Sequence, residues 1–445
     1  MLAVLLTGQA MASIDGSIVS VAAQTIRTSL QASDAEIQLV VSGYLLTTGV
    51  LFVTCARIGD VIGHRRAFLV GLGVFTAASL LCGLAVTPLM LVLARILQAT
   101  GAALLMPQVF SLIHREWEAT ERRRAIGVYS MVLALGVCLG QIIGGLVAGT
   151  DLLGLSWRPV FLINVPTGLF VLVVGRRCLP GSTAGERVRL DLPGVALLTL
   201  AMTAVTLPLI FGQEHGWPAW TWVLLVGGGL LLGVFVRHET RTRDPLFDLT
   251  VLKPPEVRLG VVACCVVMGC YTVFLLTLTL HLQAELGLTP LQAGLAFVPY
   301  AAGFGALSLT WNRYPRGVQR ALPVVGPVAY ALGLLLVVLL FRDDWSTVGS
   351  VPLLALAGAG HAAGYSPLIA QVSARVGPRL ASAVSALNST GPVLAEVVAV
   401  AGLGTIYFAA PTSSDGLLRV TAVVAALLVV ALVCAARTVS RRLDR

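Results

Sequence analysis

Charge is scarce in this sequence. Only 11% of its 445 residues are Asp, Glu, Lys or Arg, against about 25% in a soluble globular chain. So few charges cannot cover so long a folded chain in water, and the 57% of hydrophobic residues calls for a bilayer. Lysine is rarer still: of thirty basic residues only Lys253 is one, a bias expected of a GC-rich bacterial genome. The net charge of +9 is spread over short loops with no basic domain, which argues against nucleic acid as a partner. The eight cysteines, Cys55, Cys82, Cys138, Cys178, Cys264, Cys265, Cys270 and Cys434, include no C-x-x-C pair and lie almost entirely in apolar blocks. A disulfide framework and a zinc site are therefore not expected. No H-E-x-x-H, G-x-S-x-G or P-loop motif is present, which speaks against a membrane-embedded enzyme and against ATP as the energy source. No loop resembles a channel filter. Aromatic residues, at 7%, are thinly spread, and no pattern among them names a substrate.

What is present is a series of apolar blocks of about 18–25 residues, the length a helix needs to cross roughly 30 Å of hydrocarbon. We read fourteen spans, at 2–24, 37–58, 67–86, 88–113, 125–149, 159–175, 193–211, 219–236, 258–282, 289–310, 321–341, 350–373, 380–409 and 415–436. Barrel strands would be near ten residues of alternating polarity; nothing here alternates, so the spans are helices. The first block lacks a basic leader and carries Asp15, so it is expected to be a retained helix. With almost no chain before it, a longer natural N-terminus is also expected.

Twenty-five of the thirty basic residues fall in the loops on one side, among them Arg57, Arg65, Arg66 and Arg115. The opposite side holds Arg27, Arg158, Arg342 and Arg419, and Arg95 lies inside a span. The positive-inside rule makes the rich side cytoplasmic, with both termini inside. The halves echo each other weakly. Gly63 to Ala67 after the second span is matched by Gly317 to Ala321 after the tenth, and Ala102-Ala103-x-x-x-Pro107 by Ala362-Ala363-x-x-x-Pro367. That places two six-helix bundles at 1–175 and 258–445, with an inserted helix pair and its loops at 176–257, around a midplane site.

Ionisable groups within spans are costly and mark function. Asp15 and Arg95 lie at similar depth in the outer half, counting 1.5 Å per residue. Arg95, Gln98 and Ala102 share one helix face, which is expected to line a cavity. Burial opposes a charged carboxylate and a guanidinium favours it. The pair thus reads either as a proton switch or as a static ion pair joining two helices. Glu396 reads as a neutral packing residue or as a second proton or cation-recognition site. His361 is a candidate for the same cavity, as a hydrogen-bonding residue or a relay member. Span five carries Gly136, Gly140, Gln141, Gly144 and Gly145, a smooth face for close helix packing that could seal the pathway while the halves rock. Asp60, Gly63, Arg65 and Arg66 form a short charged turn, either a cytoplasmic gate latch or an orientation signal.

Taken in order, these motifs resemble the major facilitator superfamily, in its fourteen-helix drug:proton antiporter branch. The family's loop motif after helix 2 is matched at Asp60, Gly63, Arg65 and Arg66, with Ala56 in place of its first glycine. Its helix-4 motif is matched at Arg95, Gln98 and Gly101, with Ala99 for a glycine. Ile14-Asp15-Gly16-Ser17-Ile18-Val19 keeps the helix-1 acid, and Trp157-Arg158-Pro159-Val160-Phe161-Leu162-Ile163-Asn164-Val165-Pro166 is similar to a further family motif. Gln141 stands where the antiporter motif has proline, a substitution that keeps the glycine face and removes a kink-forming residue.

The resemblance implies an all-α polytopic protein of the major facilitator fold, with no cofactor and the proton gradient as driving force. It implies a monomer in the bacterial inner membrane that exports amphipathic or cationic small molecules in exchange for protons. The missing proline keeps a proton-coupled importer or a uniporter on the same fold open.

Overall fold

A computed structural model describes residues 1–150, 154–181, 190–376 and 380–440. Within them the chain is almost entirely helical. Four long helices come first: α1 (Leu2–Leu30), α2 (Asp34–Ile62), α3 (His64–Gly83) and α4 (Pro88–Glu116). There follow α5 (Ala119–Gly149), a short α6 (Pro159–Leu162) and α7 (Asn164–Cys178). Next come α8 (Leu192–Phe211), α9 (Ala219–Glu239), α10 (Pro255–Ala284), α11 (Pro290–Ala296) and α12 (Val298–Thr310). The last four are α13 (Arg316–Phe341), α14 (Thr347–Ala374), α15 (Ala381–Phe408) and α16 (Ser413–Ser440).

Thirteen helices or helix pairs among the described residues are long and apolar enough to cross a membrane, with α6–α7 and α11–α12 each making one span. The expected span 125–149 falls in α5, a continuous helix of 31 residues about 46 Å long at 1.5 Å per residue; some of its side chains lie outside the described residues. Arg187, Arg189, Arg379, Arg441, Arg442 and Arg445 of the positive-inside pattern also lie outside them.

Local chemistry sets the helix ends. Ser33 and Glu36 form a reciprocal capping box at the start of α2, with Glu36 N donating to Ser33 Oγ and Ser33 N to the Glu36 carboxylate; this satisfies two otherwise orphaned donors. Thr87 caps α4, with Pro88 in the first turn where its missing N–H costs nothing. The charged turn expected between the second and third spans shrinks to a single residue. The second helix runs through Ile62 and the third starts at His64, with Gly63 alone between them at φ 92°, a region that favours glycine. The breaks in the two divided spans have one cause. Pro166 cannot donate to Leu162 O, nor Pro299 to Leu295 O, and the helices restart at Asn164 and Val298.

The chain forms two compact units, Met1–Thr199 with Thr289–Leu295, and Leu200–Leu288 with Ala296–Arg445. Each contains a pair of helices in backbone contact. In the first unit a Cβ added at Gly101 of α4 would lie 2.4 Å from Phe75 N of α3; in the second, one at Gly360 of α14 would lie 2.4 Å from Tyr330 N of α13. Both contacts set a glycine of one helix against the backbone of the next, although Gly101 and Gly360 stand one residue out of register with the sequence echo. The core of the first unit gathers Phe68, Leu72 and Phe75 of α3 against Leu105, Val109 and Leu112 of α4. α9 leaves Val223, Val226 and Leu230 more than 60% exposed, apolar surface suited to lipid and not to water. The protein is a multi-pass membrane protein.

Candidate functional site

In the first unit the costly intramembrane charges meet. Asp15 is the fourteenth of the 29 residues of α1, and Arg95 the eighth of the 29 of α4. Arg95 Nη1 donates to Asp15 Oδ2 at 2.5 Å and to Gln98 Oε1 at 2.7 Å. Gln98 Nε2 donates to Asp15 Oδ1 at 2.8 Å and to Ser79 Oγ at 2.8 Å. Asn164 Nδ2, at the start of α7, donates to Asp15 Oδ1 at 3.1 Å. The Arg95 guanidinium lies 4.0 Å from the centre of the Tyr44 ring of α2, a cation–π contact. Five helices thus contribute side chains to one buried polar group, in which α4 and α7 donate to the carboxylate of α1.

The group is closed. Asp15 and Gln98 have no exposed surface and Arg95 is 1% exposed, so the polar stripe expected to line an open cavity is sealed between helices here. An ionised carboxylate at such a place is tolerable only when paired and hydrogen-bonded, and Asp15 has three side-chain donors. Arg95 Nε is buried without a hydrogen-bond partner, so the guanidinium is less completely satisfied than the acid it holds.

The glycine face of α5 packs on the same segment of α1. A Cβ at Gly136 would lie 2.5 Å from Ser13 Cβ, one at Gly140 2.6 Å from Ile14 O, and one at Gly144 3.0 Å from Ile18 O. Only glycine allows this approach, and Asp15 sits between the contacts. Gln141 Nε2 donates to Ser17 O at 2.8 Å, a bond a proline could not make. Gly145 lies against Pro290 and Leu291 of the segment that clusters with this unit.

At the α2–α3 junction Asp60 faces His64 Nε2 at 3.4 Å and Arg115 at 3.6 Å. Gln108 Nε2 donates to Cys55 O at 2.8 Å, which turns its Oε1 toward His64 Nδ1 at 2.7 Å. Arg65 Nη2 donates to Arg176 O at 2.5 Å, while Arg66 is exposed.

The other two candidates lie in the second unit. Glu396, the sixteenth of the 28 residues of α15, is 8% exposed. His361 is 3% exposed and its Nδ1 lies 2.7 Å from the Tyr300 hydroxyl. Aromatic rings from four helices surround it: Tyr271, Tyr300, Phe304, Tyr330 and Tyr365.

The sequence singles out Asp15, Arg95, Gln98, Glu396 and His361, but not the remaining neutral partners. Asn164 was visible only as part of a motif, and Tyr44, Ser79 and the tyrosines around His361 carry no charge to mark them. A polar or tyrosine side chain at mid-span was the available signal.

Comparison with known proteins agrees with this architecture. The chain is 35% identical over 419 residues to a probable actinorhodin transporter of Streptomyces coelicolor, covering 92% of this chain and 72% of that one. It is 36% identical to the cephamycin export protein CmcT of Amycolatopsis lactamdurans, covering 88% and 82%. It is 32% identical to the drug efflux pump JefA of Mycobacterium tuberculosis, covering 92% and 80%. Among solved structures, an inward-facing, occupied bacterial homologue of the human lysosomal transporter Spinster superposes with a TM-score of 0.70 at 17% identity, covering 98% and 96% of the two chains. The xylose transporter XylE of E. coli gives 0.66 at 13%, covering 98% and 94%; at these identities the likeness is one of fold. Residues 5–400 match the Major Facilitator Superfamily, and the chain belongs to that family of transporters.

Proposed function

We propose that this protein is a secondary active exporter that moves amphipathic or cationic small molecules out of a bacterial cell in exchange for entering protons. The relatives named as an export protein and as a drug efflux pump support the outward direction. The observation that carries the coupling is the closed group of Asp15, Arg95, Gln98 and Asn164 buried in the first unit.

The mechanism follows from what a proton does there. The ionised Asp15 accepts from a guanidinium and two amides, and hydrogen bonds to a charged group are worth about 1.5–3 kcal/mol each. A proton on Asp15 removes its charge and its attraction for Arg95, so the bond between α1 and α4 weakens. Arg95 keeps Gln98 Oε1 and the Tyr44 ring, so the guanidinium stays in place while α1 is released. Proton binding is thereby linked to a change in helix packing. By linkage, the packing change that admits substrate alters proton affinity. Alternating access then needs no bound cofactor, only the proton gradient. Monomeric action in the cytoplasmic membrane is part of this reading.

One observation supports the opposite direction: Gln141 replaces the antiporter proline and adds a bond to Ser17 O. Cells expressing the protein and loaded with a fluorescent lipophilic cation separate the two. Export predicts lower accumulation than in control cells, restored by a protonophore. Raised accumulation that the protonophore abolishes would establish import instead.

A further inference from the structure

The chain has few aromatic residues, yet five of them close around a single histidine in the second unit. Tyr330 stacks on His361 with ring centres 5.4 Å apart and planes 12° from parallel. Phe304 lies 4.7 Å away, Tyr271 5.3 Å, Tyr365 5.9 Å and Tyr300 6.0 Å. They stand at one level. His361 is the fifteenth of 28 residues in α14, Tyr271 the seventeenth of 30 in α10 and Tyr330 the fifteenth of 26 in α13. Tyr300 and Phe304 are the eleventh and fifteenth of the 24 residues of the span Pro290–Arg313. Mid-height is where transporters of this architecture hold substrate.

Two features separate this cluster from an ordinary packed core. First, it is graded. Tyr300 and Tyr330 are buried behind His361, whereas Tyr271, Phe304 and Tyr365 are only half-buried, leaving ring surface available for stacking. Second, it is unfinished. The Tyr300 hydroxyl takes up His361 Nδ1, but Nε2 is buried with no hydrogen-bond partner. A buried polar atom in that state is destabilising until a partner arrives. In the tautomer that places the hydrogen on Nε2, the Tyr300 O–H donates to Nδ1 and Nε2 is a donor without an acceptor.

We propose that this cluster is the substrate subsite of the second unit, and that it selects planar aromatic ring systems bearing a carbonyl or phenolate oxygen. The rings stack on Tyr271, Phe304 and Tyr365, and the oxygen accepts the hydrogen of His361 Nε2. Tyr300 is a positioning residue that fixes the imidazole tautomer. The proposal deepens the export reading and rests on it for the identification of the ligand as substrate.

The test uses the purified full-length protein and two probes of one shape, anthraquinone-2-sulfonate and anthracene-2-sulfonate, which differ in the ring carbonyls. Binding is followed by quenching of the protein's fluorescence. Wild type is expected to prefer the quinone by about tenfold, the scale of one hydrogen bond to an otherwise unsatisfied donor. His361→Phe keeps a ring against Tyr330 but has no N–H, and is expected to bind both probes equally. Tyr300→Phe, which frees the tautomer, is expected to give an intermediate ratio. Because the readout is a ratio of affinities in one preparation, a partly unfolded variant does not imitate the effect. Equal binding of the probes by wild type, or an unchanged preference in His361→Phe, would overturn the subsite. A quinone preference that His361→Phe removes, in a protein that moves neither quinone nor protons in vesicles, would support the subsite and overturn the export reading.

Discussion

At the scale of the residue, the account turns on one ion pair sealed inside the first unit. Arg95 and Asp15 satisfy each other where no water reaches, so removing one partner strands the other. Arg95→Leu is expected to destabilise the protein by about 3–5 kcal/mol, and the double variant Asp15→Leu/Arg95→Leu by clearly less than the two single losses together. Thermal unfolding in detergent measures all three, and simple additivity would show that the two side chains do not act as a unit. Asp15, Arg95 and Gln98 were legible in the sequence because a charge in an apolar span is expensive and needs a reason. Asn164 and Tyr44 were not, because a neutral amide or a tyrosine is affordable almost anywhere in a helix bundle. His361 was legible as a candidate. Its five aromatic neighbours come from positions 271 to 365, and no local spacing announces that they share a level.

At the scale of the element, the seam between α1 and α5 holds Asp15 in register. A side chain at Gly140 would meet Ile14 O at 2.6 Å, and backbone cannot move aside as a flexible side chain can. Gly140→Val is expected to abolish transport and to reduce the yield of folded protein. Gly16→Ala, where nothing lies within 4 Å of the added Cβ, is expected to leave both near wild type. Size-exclusion profiles and a transport assay on the two variants check this. Equal tolerance of both would remove the seam from the account. The glycine spacing announced a close approach, but not which helix would make it. The breaks after Leu162 and Ala296 were encoded by Pro166 and Pro299. A hydropathy reading treats each as one span, since a single missing hydrogen bond leaves apolarity unchanged.

At the scale of the whole molecule, the basic residues give an orientation and the apolar blocks a number of crossings. With the N-terminus inside, an even number returns the C-terminus to the cytoplasm and an odd number leaves it outside. A fluorescent protein fused after Arg445, which matures only in the cytoplasm, is expected to glow, and a periplasm-dependent phosphatase in its place to be inactive. The reverse would remove one crossing from the fourteen-span topology. Fold class was legible at this scale because composition alone decides between water and lipid. Substrate was not, because recognition depends on side chains gathered from distant helices. The most direct test of the coupling uses everted membrane vesicles with an inside-acid gradient, reported by a pH-quenched dye, challenged with lipophilic cations and aromatic antibiotics. Proton-coupled export predicts that some compounds relieve the quenching in wild type and none do so with Asp15→Asn. Equal relief by the Asp15→Asn variant would contradict the role assigned to that carboxylate, and no relief in correctly inserted wild type would contradict antiport itself.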